Sequence, residues 1–337
     1  MLKGAIIGIG KIAQECHLPA FQNGKINQDA EIIAAVDTNA ESVALAIQKY
    51  PGLRYYKTIE ELLSNEAIDF IDICSPPESH ARLIMAGLRQ GLHIMCEKPF
   101  VKNSSEADEI YAGLSSSTKV FMPVHQYKYS PIWSEFKSAI ENTGENEKNL
   151  LQFNVFRTEA DNGLSVLKNP WRTKPEISGG GILSDTGVHY LYLSLWMLGQ
   201  PLQVTARTFK IAHTEYQVED TAIVVLKSEK GTAEINLTWS SNRRFNSAYL
   251  LNKHSSLVYN GSELLKYNGE DRTIIPVPDA SDKRNYILLY VSLIEEFMCR
   301  INKGSGDLGF LNEALESVKL LSACYKSAEL NHTINIQ

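Results

Sequence analysis

The sequence predicts an α/β chain in two parts: a doubly wound parallel sheet, then an α+β domain with an open, mainly antiparallel sheet. Short apolar runs alternate with amphipathic helical patterns up to about residue 124, which is typical of a parallel sheet covered by helices on both faces. Further along, apolar and polar residues alternate with a period of two, as in antiparallel strands with one wetter face. A chain of 337 residues is also long for one core. We therefore predict a domain of residues 1–124 and a second domain of residues 125–337.

Continuous apolar runs predict the strands of the first domain. Amphipathic patterns over residues 39–50 and 78–91 predict helices between them, and Gly91 stands in the position of a helix C-cap. The predicted strands cover residues 5–8, 31–37, 70–74, 93–96 and 119–122, with a short further segment near 54–56.

Strands of a different kind are predicted in the second domain. In the segment 149–158, Leu151, Phe153 and Val155 alternate with polar residues. The predicted elements are a helix around 131–142, strands at 149–158, 204–211, 221–227, 232–239 and 247–252, and helices at about 283–302 and 309–330.

Composition and charge exclude several classes of protein. The formal net charge of −6 and the pI of about 5.8 argue against a sequence-independent grip on nucleic acid. No apolar stretch approaches the roughly 18 residues that span a membrane, and the apolar N-terminus lacks a cleavage site, so it predicts a strand and not a signal peptide. The 5 cysteines are scattered without a Cys-x-x-Cys pair, which indicates free thiols in a reducing compartment. We therefore expect a cytoplasmic protein that binds neither nucleic acid nor membranes.

A glycine-rich turn follows the first predicted strand and opens a helix: Gly8-Ile9-Gly10-Lys11-Ile12-Ala13. Gly8 permits the tight turn, Gly10 lets the backbone approach a pyrophosphate, and Ala13 keeps the helix close to the sheet. The helix N-terminus offers N–H groups and a positive dipole end to the phosphates. A structural turn would show the same glycines, but the strand before it, the helix after it and Asp37 favour a dinucleotide site of Rossmann type.

Asp37 ends the second predicted strand, where an acidic residue hydrogen-bonds the adenosine ribose. A 2′-phosphate would meet this carboxylate, and neither Thr38 nor Asn39 supplies a compensating cation. The position therefore favours NAD over NADP as the cofactor. The alternative interpretation is that Asp37 is a helix N-cap, which is common after a strand.

Two polar segments follow later parallel strands, at the edge where open α/β sheets bind ligands. In the first, Ser75, Pro76 and His80 would flank the cofactor, although a simple strand-to-helix turn explains the prolines nearly as well. In the second, Glu97 and Lys98 come directly after a buried strand. Ionised groups there need a reason, and an exposed, salt-bridged loop is the alternative.

The segment 179–201 carries the most chemistry in the second domain. A glycine run opens a helix in which Asp185 and His189 are four residues apart, and so share one face. A carboxylate beside an imidazole is a ready proton-transfer pair, although a structural Asp–His pair would look the same.

These motifs occur in an order that resembles the Gfo/Idh/MocA family (glucose–fructose oxidoreductase and inositol dehydrogenase), and the resemblance covers nearly the whole chain. It implies that Lys98 and His189 flank the substrate carbon beside the nicotinamide, with Asp185 assisting. It also implies that Trp171 and Arg172 line the substrate pocket. Many relatives have an acidic residue three positions after the helix histidine, where this chain has Tyr192. We interpret that difference as altered packing or substrate fit, with the chemistry intact.

The expected function is an NAD(P)-dependent oxidoreductase that transfers a hydride between the nicotinamide and a secondary alcohol or ketone of a sugar, cyclitol or sugar derivative. His189 is the candidate base, held by Asp185, and Lys98 would stabilise charge on the same oxygen. Lys98 could instead take the proton, and the sequence does not decide. No metal is required, and no cluster with metal-ligand spacing is visible in the sequence.

Other interpretations stay open at this stage. A nucleotide-sugar or amino-sugar oxidoreductase would use the same chemistry, and a non-catalytic NAD-binding regulator could dispense with the three catalytic candidates. A phosphate, uronate or nucleotide group could meet cations of the second domain, although surface solvation explains most of them: Arg157, Arg172, Lys174, Arg243 and Arg244. The exposed face of an open sheet is a natural self-association surface, so we expect a homodimer or homotetramer.

Overall fold

The N-terminal part of the computed structural model is a 6-stranded parallel sheet, which confirms the predicted Rossmann architecture. The structure describes residues 1–144, 147–164, 171–280, 282–304 and 308–336. The strands are β1 (Leu2–Ile7), β2 (Ala30–Val36), β3 (Arg54–Tyr56), β4 (Phe70–Ile73), β5 (His93–Cys96) and β6 (Phe121–Pro123). They lie in the order β3-β2-β1-β4-β5-β6, with every neighbouring pair parallel. The chain changes direction across the sheet between β1 and β4, which opens a ligand crevice at their carboxyl ends.

Helices cover both faces of this sheet. Ile6 and Ile7 of β1 point to opposite faces, yet both are buried, Ile6 at 0% and Ile7 at 3% exposure. This is why the strands have continuous apolar sequences. The helices are α1 (Leu18–Phe21), preceded by a π-helical segment (Ala13–His17), α2 (Ala40–Lys49), α3 (Ile59–Asn65), α4 (His80–Arg89) and α5 (Ser104–Ser115).

The second sheet has 9 strands and is open and mainly antiparallel, as predicted. Its strands are β7 (Asn149–Phe156), β8 (Pro201–Phe209), β9 (Thr221–Ser228), β10 (Gly231–Thr238), β11 (Phe245–Leu251), β12 (Ser256–Tyr259), β13 (Glu263–Asn268), β14 (Asp271–Pro276) and β15 (Ile334–Asn335). They lie in the order β14-β13-β12-β11-β7-β10-β9-β8-β15. Only β7 and β10 pair in parallel among these described strands. The sequence prediction missed β12, β13, β14 and β15.

The helices of the second part are α6 (Pro131–Glu141), α7 (Pro175–Ser178), α8 (Val188–Leu198), α9 (Ile287–Lys303) and α10 (Gly309–Leu330). Two of these helices, α8 and α10, contact strands of the second sheet, whereas α9 and α10 also contact the first part. Phe297 of α9 meets the ring of Phe70 in β4 edge-on at 5.7 Å. Leu311 and Leu315 of α10 join the apolar cluster of the parallel sheet. Because α9 and α10 contact both parts, the division at residue 124 stays a prediction. Within the described ranges, none of the helices combines the length and apolarity needed to cross a membrane.

Candidate active site

The glycine-rich turn lies at the carboxyl end of β1, beside the loop that follows β4. Gly8 has φ of +90°, and a Cβ there would lie 2.6 Å from the backbone nitrogen of Ser75, so the position requires glycine. A Cβ at Gly10 would meet none of the described atoms within 4 Å. The backbone at Gly10 therefore borders open space, and the turn fits the dinucleotide pyrophosphate that the sequence predicts.

Asp37 fastens this turn to the end of β2. One carboxylate oxygen accepts a hydrogen bond from the backbone N–H of Ile9 at 2.8 Å, and the other accepts one from Asn39 N–H at 2.7 Å. The N-cap of α2 is Asn39, whose side chain accepts from Ser42 N–H. The alternative interpretation of Asp37 as the helix cap is therefore wrong, and its carboxylate lies half-buried at the dinucleotide turn.

His80, a predicted cofactor contact, is instead buried beneath the site with 0% exposure. Its ring nitrogens lie 2.7 Å from the Ser75 carbonyl oxygen and 3.0 Å from the Pro99 carbonyl oxygen. Burial lowers the pKa of His80, against the opposing effect of these carbonyls. The side chain ties the loop after β4 to the loop after β5 and so supports the backbone of the crevice, while its contact with the cofactor stays a prediction. Pro76, which lies between Ser75 and His80 in the sequence, is half-buried.

Glu97 is also directed inward, because a buried ion-pair network holds its carboxylate. His17 is fully buried, with Nδ1 2.7 Å from Asp72 Oδ2 and Nε2 3.1 Å from Glu97 Oε1. Burial lowers the pKa of His17, but the two carboxylates outweigh burial and raise it to about 9. Burial likewise opposes ionisation of Glu97, yet bonds from His17 and Tyr290 lower the pKa of Glu97. This network holds the Glu97 carboxylate, and Glu97 also lines the crevice, so its contact with the cofactor stays a prediction.

The fold brings together a cluster that no sequence spacing revealed. His17, Asp72 and Cys74 each place a potential metal-ligand atom within 4.8 Å of the others. Burial is the largest cause that raises the pKa of the Cys74 thiol well above its usual range, which opposes formation of the thiolate that binds metals. Both ring nitrogens of His17 already face carboxylates. These donors fit an ion-pair network better than a metal site.

Lys98 crosses from the parallel sheet to the second domain. It is half-buried after β5, and its Nζ donates to the backbone carbonyl oxygen of Asp185 at 2.6 Å. Its own backbone N–H donates to Glu97 Oε2 at 3.1 Å. The buried network through Glu97 therefore fixes the backbone from which Lys98 extends.

The glycine run of the second domain is a close-packing feature. A Cβ at Gly181 would lie 2.0 Å from the Glu219 carbonyl oxygen. The Glu219 side chain accepts hydrogen bonds from Gly181 N–H and Leu183 N–H, and from the Tyr325 hydroxyl. A π-helical segment, Leu183–Gly187, follows and leads into α8. Glu219 thus anchors the start of the helix that carries Asp185 and His189, a role that the sequence analysis missed.

Asp185 is held by Arg172. Its Oδ1 accepts from Arg172 Nε at 2.9 Å, and its Oδ2 accepts from the Thr186 hydroxyl at 3.2 Å. The guanidinium of Arg172 lies over the ring of Trp171, 4.2 Å from its centroid, and also donates to the Asp161 carbonyl oxygen. Trp171, Arg172 and Asp185 therefore lie together at one wall of a cavity, and their contact with a substrate stays a prediction.

His189 is oriented by two tyrosines. It is 6% exposed, and its Nδ1 lies 3.0 Å from the Tyr192 hydroxyl oxygen, which also accepts from Tyr127 N–H at 3.2 Å. The Tyr127 ring stacks on the imidazole with centroids 4.3 Å apart. The sequence analysis expected Asp185 to orient His189, but Tyr192 occupies that role at Nδ1.

One cavity of about 530 Å³ joins these groups. Its lining includes most of the predicted site residues: Lys11, Ile12, Ser75, Glu97, Lys98, Trp171, Arg172, Asp185 and His189. It also includes Tyr127 and Tyr286, whose hydroxyls lie 2.7 Å apart. Nothing in the sequence marks these tyrosines, because they stand in ordinary amphipathic contexts with no motif around them.

Family models match both parts of the chain. The model described as "Oxidoreductase family, NAD-binding Rossmann fold" matches residues 2–125, and the "GFO/IDH/MocA C-terminal domain" model matches residues 151–257. Together these matches cover more than half of the chain.

The individual relatives share less than a third of their aligned residues with this chain. An uncharacterized oxidoreductase of Schizosaccharomyces pombe is 29% identical over 213 residues, which are 61% of this chain and 54% of that protein. This chain thus spans about half the length of that relative. The D-glucoside 3-dehydrogenase of Escherichia coli is 22% identical, over 99% of this chain and 97% of that one. A solved levoglucosan dehydrogenase, in complex with NADH and L-sorbose, superposes with a TM-score of 0.84 at 18% identity, covering 100% of this chain and 99% of that one.

Proposed function

Because the chain belongs to the GFO/IDH/MocA family of oxidoreductases, with an NAD-binding Rossmann domain at its N-terminus, we propose that it is an NAD-dependent sugar or cyclitol dehydrogenase. It would interconvert a secondary alcohol and the corresponding ketone. The observation that carries this proposal is the convergence of Lys98 and His189, from the two domains, on one cavity. The names of the relatives, a D-glucoside dehydrogenase and a levoglucosan dehydrogenase, support a sugar or cyclitol as substrate.

The dinucleotide would bind along the carboxyl end of the parallel sheet. Gly8 and Gly10 would receive the pyrophosphate, Asp37 the adenosine ribose, and Lys11 and Ile12 line the adjoining cavity. When bound there, the nicotinamide supplies the acceptor for the hydride of the alcohol carbon. Residues of the chain would bind the substrate and transfer the proton of its alcohol.

The hydrogen bonds around Tyr192 bear on which residue moves the proton. The Tyr192 oxygen accepts Tyr127 N–H, so its own proton is best satisfied at Nδ1 of His189, since a buried donor without an acceptor costs about 1–3 kcal/mol. A neutral His189 then carries its proton on Nε2. This arrangement supports His189 as a hydrogen-bond donor to the alcohol oxygen.

Lys98 would then remove the alcohol proton during oxidation and return it during reduction. Its Nζ is held 2.6 Å from the Asp185 carbonyl oxygen, which directs the amine toward the wall that carries His189. This assignment revises the choice of His189 as base from the sequence. Asp185 would position Arg172, and Trp171 would cover one side of the substrate.

Self-association through the outer face of the second sheet accompanies this proposal. Apolar side chains on that face are exposed on β7, β9 and β11, namely Leu150 at 39%, Ile223 at 44% and Leu251 at 44%. Exposed apolar side chains on the face of an open sheet favour self-association. Light scattering should give a mass of two or four times 37.7 kDa, and a monomer would contradict this part.

The experiment that tests the proposed function is a substrate screen. Purified protein with NAD is mixed with a panel of sugars, sugar acids, cyclitols and nucleotide sugars, and NADH formation is followed by absorbance. At least one polyhydroxylated ring should be oxidised, and Lys98→Met should lower that turnover by about 10²–10⁴. NAD binding without turnover of any panel member would contradict the proposal and favour a regulatory role.

A further inference from the structure

Two arginines stand side by side at the end of the β7–β11 strand pair. Phe156 and Phe245 are partners in that pair. Arg157 follows the first of them and Arg244 precedes the second, so their positions are opposed. Both arginines line the cavity that contains Lys98 and His189. Like charges opposed across a strand pair repel each other, so the fold places two cations at one wall of the cavity despite this repulsion.

Arg157 is a buried cation held by neutral acceptors. It is 5% exposed, and its Nη1 donates to the Phe156 carbonyl oxygen at 2.7 Å and to Asn246 Oδ1 at 2.7 Å. Among the described residues, Arg157 makes no ion pair with a carboxylate. A buried charge without a counter-charge is unfavourable, so the site is suited to an anion.

Arg244 adds a second positive charge that solvent in the cavity can reach. Burial by surrounding atoms is the largest cause that lowers the pKa of Arg244, and the charge of Arg157 comes next. The charge of Asp161 raises the pKa of Arg244 and is the smallest of these causes. The Asp161 carboxylate also lies 3.6 Å from Lys11 Nζ. The two arginines therefore raise the positive potential of one wall of the cavity.

That wall belongs to the substrate side of the cavity. Both arginines extend from the second sheet, whereas the glycine turn belongs to the parallel sheet. The charges of Arg157 and Arg244 act on Tyr127, whose ring stacks on His189. An anion bound there would thus adjoin the residue that contacts the reacting alcohol, and would be distinct from the dinucleotide pyrophosphate at Gly10.

We propose that the substrate carries an anionic group, a carboxylate or a phosphate, which Arg157 and Arg244 bind while Lys98 and His189 hold the reacting alcohol. This inference rests on the proposed function and narrows its substrate class to sugar acids or sugar phosphates. Arginine binds both oxyanions through paired hydrogen bonds, so the structure identifies their shared chemistry.

Matched pairs of substrates test the inference. Each pair joins an anion to its neutral parent: glucuronate and glucose, galacturonate and galactose, and glucose 6-phosphate and glucose. With wild-type protein and NAD, one anionic class should have a kcat/KM about tenfold or more above its neutral parent. The uronate and phosphate arms distinguish the two sources of the anion. Equal or higher kcat/KM for the neutral parents would overturn the inference and leave the proposed dehydrogenase function standing.

Arg244→Gln is the principal variant, because its side chain is accessible and its loss should not disturb the fold. It should lower kcat/KM for the anionic substrate about tenfold to a hundredfold, and change that of the neutral parent less than about twofold. Arg157→Lys, which keeps the charge, should retain more of the preference than Arg157→Met. Arg243→Gln is the matched control, since Arg243 lies over the Phe245 ring outside the cavity. An Arg244→Gln protein with an unchanged preference would overturn the inference.

If no sugar is oxidised, a binding measurement tests the anion site directly. Titration calorimetry of the NADH-bound protein with glucuronate, glucose 6-phosphate and glucose needs no turnover. Selective binding of an anion, lost in Arg244→Gln and kept in Arg243→Gln, would support the anion site even though the proposed function had failed. Equal or absent binding of anionic and neutral sugars would overturn it.

Discussion

The Nδ1 atom of His189 lies 3.0 Å from the hydroxyl oxygen of Tyr192, almost one turn further along α8. Because the same hydroxyl accepts Tyr127 N–H, its proton is directed to His189, which places the proton of a neutral imidazole on Nε2. A buried tyrosine thus sets the tautomer that a carboxylate often sets at such sites.

Removal of this hydroxyl should affect catalysis more than binding. Tyr192→Phe keeps the ring that stacks on His125 at 4.0 Å but leaves His189 without its orienting bond. We expect kcat to fall about tenfold, as for loss of one buried hydrogen bond, with KM and NAD affinity within about twofold of wild type. Steady-state kinetics and NAD titration measure these changes.

Tyr190 is the matched control on the same helix. Its hydroxyl is buried and has no hydrogen-bond partner among the described residues, so Tyr190→Phe removes an unsatisfied group and should leave kcat and stability intact or slightly raised. Equal losses of kcat in Tyr190→Phe and Tyr192→Phe would show that the hydroxyl of Tyr192 has no special role.

The buried network of His17 predicts how stability depends on pH. The folded pKa of His17 is raised to about 9 from 6.5, so its contribution is fully present below about pH 6.5 and is lost as the pH rises through 9. The loss should be on the order of 3 kcal/mol. The Tm of the wild type should therefore fall across this window, whereas His17→Gln should start lower and change less. A wild-type Tm that stays constant from neutral pH through 9 would contradict this account.

Local motifs made the glycine turn predictable from the sequence, whereas the partners of Asp185 and His189 were not predictable. The turn at Gly8 depends only on neighbouring residues and a positive φ, so it could be predicted from the sequence. The spacing of Asp185 and His189 placed both on one helical face, but it could not show which side chains the rest of the fold brings to them. Asp185 accepts a hydrogen bond from Arg172, and His189 Nδ1 lies beside the Tyr192 hydroxyl.

Other features depended on signals that were overlooked or on distant residues. The hairpins of β12, β13 and β14 carry Asn260-Gly261 and Asn268-Gly269 at their turns, a strong hairpin signal that could have found them. The network of His17, Asp72 and Glu97 joins three segments that are remote in sequence. The sequence draws attention to Glu97 alone, and no local pattern shows that His17 and Asp72 are its partners.

Cofactor preference should follow the carboxylate of Asp37. NAD should bind about tenfold to a hundredfold more tightly than NADP, since a 2′-phosphate would face this anion. Asp37→Ser combined with Thr38→Arg should shift the preference toward NADP. Affinity for NAD itself should also fall, because Ile9 N–H loses its acceptor. Tryptophan fluorescence titration measures both affinities, and tighter binding of NADP by the wild type would overturn the prediction.

Gly10 and Trp171 should separate cofactor binding from substrate binding. A Cβ at Gly10 would meet none of the described atoms within 4 Å, so Gly10→Val should fold yet block the pyrophosphate and abolish NAD binding. Gly24→Val is the control, since Gly24 also has open space around it but lies outside the cavity. Trp171→Ala should raise KM for the sugar with little change in NAD affinity. Loss of NAD binding in a folded Trp171→Ala protein would contradict this division.

The central claim is that Lys98 acts on the alcohol proton in the chemical step. Lys98→Met keeps the length of the side chain but removes its proton-transfer group, and Lys102→Met is its matched control, because Lys102 Nζ also donates to a backbone carbonyl, that of Glu176, outside the cavity. The decisive measurement is kcat of Lys98→Met on the substrate found by the screen, with NAD affinity measured in parallel. The account predicts a fall of about 10²–10⁴ in kcat, unchanged NAD affinity, and near-normal turnover of Lys102→Met. Near-normal turnover by Lys98→Met would contradict it.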